Sequence, residues 1–146
     1  MLSDLLKTLL ATNFAYYLKA HGFHWNVEGP DFGELHAFFE MIYSDVYEAN
    51  DTIAEYIRAL QEYAPASFER FGELTQIPGQ TKIPRARLML EELLNDNEIM
   101  LQLLNKCFDV ATQERQQGVA NFMADRISQH GKFGWQLRSF LKEARA

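Results

Sequence analysis

From Glu34 to Ala64 the chain runs without a glycine or a proline, and its apolar residues recur at helical spacing. Starting at His36 and advancing about 100° per residue, Leu35, Phe38, Phe39, Ile42, Val46, Ala49, Ile53, Ile57 and Leu60 gather in one sector of roughly 100°. That stripe predicts one long helix with one face in a core. A second sector, centred roughly 145° away by the same count, holds His36, Glu40, Tyr43, Tyr47, Asp51, Glu55 and Arg58. Glu34, Met41, Asp45, Glu48 and Thr52 fill the remainder and read as solvated. The helix therefore has a core face, a wet face, and a third face of imidazole, carboxylates and phenols.

Three more long helices follow from the same periodicity. The first spans about Ser3 to Val27, with Ser3 as N-cap and Asp4 in the first turn. Its core residues are Leu2, Leu5, Leu6, Leu9, Phe14 and Tyr17, and His21 and His24 continue the line. Gly29-Pro30 ends it, because Pro30 pushes Gly29 out of helical space, and Asp31 with Glu34 suggests a capping box for the next helix. The linker from Gln61 to Lys82 exceeds the roughly two to eight residues usual between neighbouring helices in bundles. Within it, Ser67 can cap a short helix with Phe68, Phe71 and Leu74 on one side. Its length suits a crossover that leaves the flanking long helices parallel.

The third long helix, about Arg85 to Ala111, carries Pro84 in its first turn and stacks Met89, Leu93, Met100, Leu103, Leu104, Cys107 and Phe108. A polar turn over Gln113 to Gly118 leads to the last helix, Val119 to about Ala144, with Val119, Phe122, Met123, Ile127, His130, Leu137 and Leu141 at helical spacing. Gly131 and Gly134 weaken it by roughly 1 kcal/mol each relative to Ala, which close helix contact would explain. His130 falls on the apolar stripe and reads as a satisfied core histidine. The fold class is all-α: four long helices and a short extra one between the second and third. The 146 residues make one domain, 1–146.

Composition narrows the function. The chain is 47% hydrophobic with four prolines, which excludes a disordered chain. A net charge of −6 gives no electrostatic footprint for nucleic acid and a mild attraction for cations. The single Cys107 excludes an internal disulfide framework and reads as a buried, inert thiol. The five methionines are scattered along the helices and read as core filling. No apolar run is long enough to span a membrane, and the N-terminus lacks the marks of a signal peptide, so the expectation is a cytoplasmic protein.

The third face of the second helix carries the chemistry. Imidazole with carboxylate is the usual ligand set for iron or zinc. His24 ends the stripe on the preceding helix, and Glu40 sits one turn beyond His36. His36 and Asp51, fifteen positions apart on one helix, are about 22 Å apart along its axis. Ligand bonds are only about 2 Å, so one chain cannot place both on one ion. If they share a metal, the carboxylates come from a second copy. An antiparallel two-fold pairing of this helix, crossing near Tyr43–Val46, forms two equivalent sites.

The residues His24-Trp25-Asn26-Val27-x-Gly29-Pro30-x-Phe32-x-x-Leu35-His36-x-x-Phe39, followed by Asp51-x-x-Ala54-Glu55, resemble the signature of the Dps family of miniferritins. Eleven residues separate the histidines, fourteen precede Asp51 and three precede Glu55, as in that family. Asp96-Asn97-Glu98-Ile99 and Trp135-x-Leu137-Arg138-Ser139-x-Leu141 extend the likeness over nearly the whole chain. The resemblance implies a ferritin-like four-helix bundle whose short extra helix lies at a dimer interface. It implies a hollow twelve-subunit shell built from two-fold dimers, which oxidises Fe(II) at intersubunit ferroxidase sites and stores the ferric mineral. His24, His36, Asp51 and Glu55 are then the ligands of a mono-iron or di-iron site, with Glu40 at an auxiliary carboxylate position. The usual oxidant is hydrogen peroxide in preference to dioxygen, a choice that protects against oxidative damage. His21 is read as structural or as an orienting neighbour of the site. Trp25 and Tyr43 could take up stray oxidising equivalents, and packing explains both equally well.

Three positions depart from the family pattern. Tyr56 stands in place of Arg after Ala54-Glu55, Asn121 in place of an acid near the three-fold pore, and Gly131 in place of a frequent Glu. Asp125 is then the remaining acidic pore candidate, although an exposed helix charge accounts for it better. A di-iron protein with its site inside one bundle would carry Glu-x-x-His on two helices, and this chain contains none. A shell acting mainly as a DNA-protecting or scaffold protein is the alternative. Dps proteins that bind DNA often use basic tails, whereas Leu141-Lys-Glu-Ala-Arg-Ala146 is short and of mixed charge, so DNA binding is expected to be weak or absent.

Overall fold

The structure is a computed structural model and describes residues 1–143. Gly29 adopts φ +116°, a region an L side chain rarely enters. This turn reverses the chain, so that α1 (Leu2–Asn26) and α2 (Phe32–Ala59) lie antiparallel. Farther along the pair, Asn13 Nδ2 donates to Val46 O at 2.9 Å and to Asn50 Oδ1 at 2.8 Å. The short α3 (Phe68–Leu74) is capped as expected, with Ser67 Oγ accepting from Arg70 N at 3.1 Å. Phe71 packs on Phe14 of α1 with ring centres 5.2 Å apart, while Phe68 is exposed. The long helices α4 (Ala86–Gln113) and α5 (Gln117–Leu141) complete the bundle.

Side-chain contacts fix the directions. Leu5 of α1 lies beside Cys107 of α4, and Tyr16 lies beside Leu93 and Asn97. Advancing along α1 thus means receding along α4, so these two are antiparallel. Because α1 and α2 are also antiparallel, α2 and α4 are parallel, and the long connection between them is a crossover. The all-α bundle with its extra short helix agrees with the expected fold class.

The core is apolar along most of its length, with Leu2, Leu6, Leu9, Phe39, Ile42, Ile53, Ile57, Met89 and Leu93 fully enclosed. One polar chain crosses it. His130, wholly buried, donates from Nδ1 to Asn97 Oδ1 at 2.9 Å, and Asn97 Nδ2 donates to His130 O at 2.8 Å. Arg126 donates to His130 Nε2 at 3.2 Å and pairs with Asp45 of α2 at 2.8 Å. His130, Asn97 and Arg126 each have a hydrogen-bond partner, and Asp45 Oδ2 meets Arg126 as an ion pair without hydrogen-bond geometry. His130 is the satisfied core histidine that its position on the stripe predicts. Burial, then the neighbouring Arg126 charge, holds its pKa down to about 3. Cys107 is buried, and burial pushes its thiol up to about 12, an inert group.

Several local expectations are corrected. Ser3 is already inside α1, which starts at Leu2 without a side-chain cap. Asp31 is the N-cap of α2, but at φ −99°, ψ 20° it lacks the extended backbone of a capping residue, and no capping box forms. Pro84 precedes the N-cap Arg85, so it lies just outside α4. Asp45 is not simply solvated, because it neutralises Arg126. In α1, Tyr16 is fully buried whereas Phe14 and Tyr17 are half-buried on the outer side. The end proposed for the last helix, Ala144, lies outside the described residues; α5 closes at Leu141.

Candidate metal centre

The end of α1 and the start of α2 bring His24 and His36 together. His24 is buried and His36 half-buried, and their rings stack 3.8 Å apart at 16°. His24 Nδ1–H donates to His36 O at 2.7 Å, and His36 Nδ1–H donates to His24 O at 2.8 Å. A carbonyl oxygen can only accept, so both rings carry the proton on Nδ1. In the neutral rings both Nε2 atoms then keep their lone pairs, the form in which imidazole binds a metal. The backbone thereby supplies the orienting contact that metal-binding histidines usually need.

Beside this pair lies an aromatic cluster. His21 stacks on Tyr43 with ring centres 3.8 Å apart at 10°, and lies 4.2 Å from the Trp25 ring and 6.0 Å from that of His24. Tyr17 Oη and His21 Nδ1 are hydrogen-bonded at 2.9 Å, and the Tyr17 ring lies 4.9 Å from Tyr47. Burial, then the electrostatic influence of neighbouring His24, holds His21 below the ordinary histidine range. Burial, then Tyr47 and Tyr43, raises Tyr17, which stays a neutral phenol. The pairing of Tyr17 with His21 has a sequence signal, four-residue spacing on one helix face. Assigning Tyr17 to the core hid it.

The carboxylates stand elsewhere. Glu40 is exposed one turn beyond His36, while Asp51 and Glu55 are exposed on the same face near the far end of α2. With α2 unbroken between them, His36 and Asp51 are about 22 Å apart along the axis. Among the described residues of a single chain, no group of three or more His, Cys, Asp or Glu side chains is placed to hold a metal. Asp51 instead lines an open groove of about 940 Å³ with Phe14, Tyr47, Pro65, Phe68 and Phe71. One chain therefore carries its candidate ligands in two separate sets, nitrogen at one end of α2 and oxygen at the other.

The ferritin-like domain family model matches residues 3–146. The chain is 33% identical over 141 residues to an uncharacterised low-temperature-induced protein of Nostoc sp., covering 95% of this chain and 79% of that one. It is 29% identical to DNA protection during starvation protein 2 of Bacillus anthracis, covering 96% of each. Its fold superposes on the Dps protein of Vibrio cholerae, a member of the ferritin-like diiron-carboxylate superfamily, with a TM-score of 0.93 and 32% identity. That match covers 97% of this chain and 89% of the other.

The chain belongs to the Dps branch of the ferritin-like family. Membership supports iron binding and iron storage in general. Within this Dps subunit, one departure from the family pattern acquires a local explanation. Tyr56, where the family has Arg, donates its hydroxyl to Gly118 O at 3.2 Å and packs on Phe122, tying the end of α2 to the start of α5. Asn121 and Asp125 are both exposed on α5. No helix among the described residues is long and apolar enough to cross a membrane.

Proposed function

We propose that this protein is a miniferritin that oxidises Fe(II), with hydrogen peroxide as the preferred oxidant, at sites shared by two subunits of a twelve-subunit cytoplasmic shell. The observation that carries this reading is the reciprocal bonding of His24 and His36, which holds two imidazoles in the metal-binding tautomer. Fe(II) is the substrate. The two Nε2 atoms bind it from one subunit, and Asp51 and Glu55 of a second copy complete the site, with Glu40 as the auxiliary carboxylate. Few protein ligands leave room on the ion for peroxide. Peroxide takes one electron from each of two ferrous ions and is reduced to water. The ferric product prefers hard oxygen donors, which the acidic subunit supplies, and is stored as mineral.

The exposed groove beside Asp51, rimmed by Phe68 at 81% exposure and Tyr47 at 55%, is the surface on which the second copy would sit. A DNA-protecting role is the second reading, favoured by the names of several relatives. The net charge of −6 argues for weak DNA binding at physiological salt.

Anaerobic titration of the metal-free shell with Fe(II), followed by peroxide, tests the proposal. The ferric absorbance should rise immediately in the wild type and be largely lost in the His24→Ala, His36→Ala double variant. Equal oxidation in both would overturn it.

A further inference from the structure

The aromatic cluster beside the histidines contains one phenol hydrogen-bonded to an imidazole nitrogen. Among the described residues, the tyrosine hydroxyls with hydrogen-bond partners are those of Tyr16, Tyr17 and Tyr56. Tyr16 and Tyr56 face carbonyl oxygens. Tyr17 faces His21 Nδ1 across 2.9 Å. The difference matters because an oxidised phenol is a strong acid, so a tyrosine gives up an electron readily only when its proton can leave at the same time. From Tyr17 a short aromatic path leads to the histidine pair. The Tyr17 and Tyr43 rings are 6.3 Å apart, His21 stacks on Tyr43, and Tyr43 lies 5.1 Å from the His24 ring.

We propose that Tyr17 and His21 form a proton-coupled electron-donor pair, which supplies the second electron when peroxide meets a site holding a single ferrous ion. The inference rests on the ferroxidase reading and adds residues to it. Peroxide needs two electrons and two protons to become two waters. The ferrous ion gives one electron and becomes ferric. Tyr17 gives the other along Tyr43 and His24, its O–H bond breaks, and the proton passes to His21 Nδ1. Solvent supplies the two protons that complete the waters. Without this donor, one-electron reduction of peroxide would release hydroxide and a hydroxyl radical. The tyrosyl radical returns to phenol when a later ferrous ion gives it an electron and His21 returns the proton.

The pair also differs from Trp25, which lies 4.2 Å from His21 but is 61% exposed. In the single chain Tyr17 is the more enclosed of the two, half-buried beside His21.

The assembled shell should be loaded anaerobically with fewer ferrous ions than sites, mixed with peroxide and freeze-quenched. Electron paramagnetic resonance reads the radical, and absorbance on the same samples reads ferric iron. The wild type should show a tyrosyl radical that is lost in Tyr17→Phe and retained in Tyr47→Phe. His21→Gln keeps a hydrogen-bond acceptor but removes the base, so it should also lose the radical with Tyr17 still present. A merely structural role for Tyr17 would not produce that loss. A wild type that oxidises iron without a tyrosyl radical, or a radical that survives in Tyr17→Phe, overturns the pair and leaves the ferroxidase reading standing. Absence of ferric iron in the wild type overturns both.

Discussion

Lys19 Nζ lies 2.7 Å from Asp96 Oδ2, and the two side chains are only 6% and 3% exposed. The pair joins α1 to α4, with Glu92 3.9 Å from the same ammonium. Burial pushes the Asp96 carboxyl above its ordinary range more strongly than Lys19 pulls it down. Such a pair is weak evidence for net stability, but breaking it leaves one charge buried alone. Lys19→Met should therefore destabilise the subunit by about 3–5 kcal/mol at neutral pH. Adding Asp96→Leu should recover most of that loss.

The same variant carries a pH signature. With Lys19 gone, Asp96 has a raised folded-state pKa and nothing opposing it. A group raised in the folded state contributes stability below its unfolded pKa and loses it as pH rises through the folded value. Unfolding of Lys19→Met should thus approach the wild type toward the acid side and fall away from it as pH rises above the ordinary carboxylate range. A constant difference across pH, measured by thermal or urea unfolding, would show that the carboxylate is not the source of the loss.

His130 has the opposite sign. Its pKa is held down to about 3 in the fold, so the unfolded chain takes up a proton first as pH falls. The neutral histidine contributes stability above its unfolded pKa, and that stability is lost as pH drops from about 6.5 towards 3, at about 1.4 kcal/mol per pH unit per subunit. His130→Gln starts lower, because Arg126 and Asn97 lose a fitted partner, but its acid limb should be flatter. Parallel acid limbs would contradict this account.

How far these features are legible in the sequence depends on whether the partner is local. The α2 stripe is readable because its period alone fixes the core face, and Leu35, Phe38, Phe39, Ile42, Val46, Ala49, Ile53 and Ile57 are all buried. The first helix misleads because it is apolar on two sides. Tyr16 and Tyr17 are only about 100° apart, and nothing local tells which enters the core. Asn97, His130, Arg126 and Asp45 come from three helices, and their polar chain exists only after packing. At the candidate metal centre, type and spacing single out the histidines and carboxylates as proposed ligands. They do not reveal the reciprocal bonds of His24 and His36, because a backbone carbonyl has no sequence signature.

The two glycines of α5 separate packing from propensity. A Cβ on Gly134 would lie 3.2 Å from Asn97 Nδ2 and 3.1 Å from Arg138 Nη1. Arg138 can swing away, but Asn97 is pinned by His130. Gly134→Ala should therefore cost about 1–3 kcal/mol through overpacking. A Cβ on Gly131 meets nothing within 4 Å in the subunit, and Gly131→Ala should raise stability by about 1 kcal/mol from helix propensity alone. Thermal unfolding of the two variants should move in opposite directions from the wild type.

The separation of histidines and carboxylates along α2 makes the proposed shared site testable by mixing. One variant carries His24→Ala and His36→Ala, the other Asp51→Ala and Glu55→Ala. Each homo-oligomer should have little ferroxidase activity, because every site lacks half its ligands. In a mixed dimer, one site combines both defects, while the other joins intact histidines from one subunit to intact carboxylates from its partner. Co-assembly of the two inactive variants should restore up to one working site per mixed pair, read as ferric absorbance after peroxide. A site drawn wholly from one chain could not be rebuilt by any mixture. Mixed dimers demonstrated by mass spectrometry, yet with no recovered oxidation, would reject the two-subunit geometry even if Fe(II) still bound.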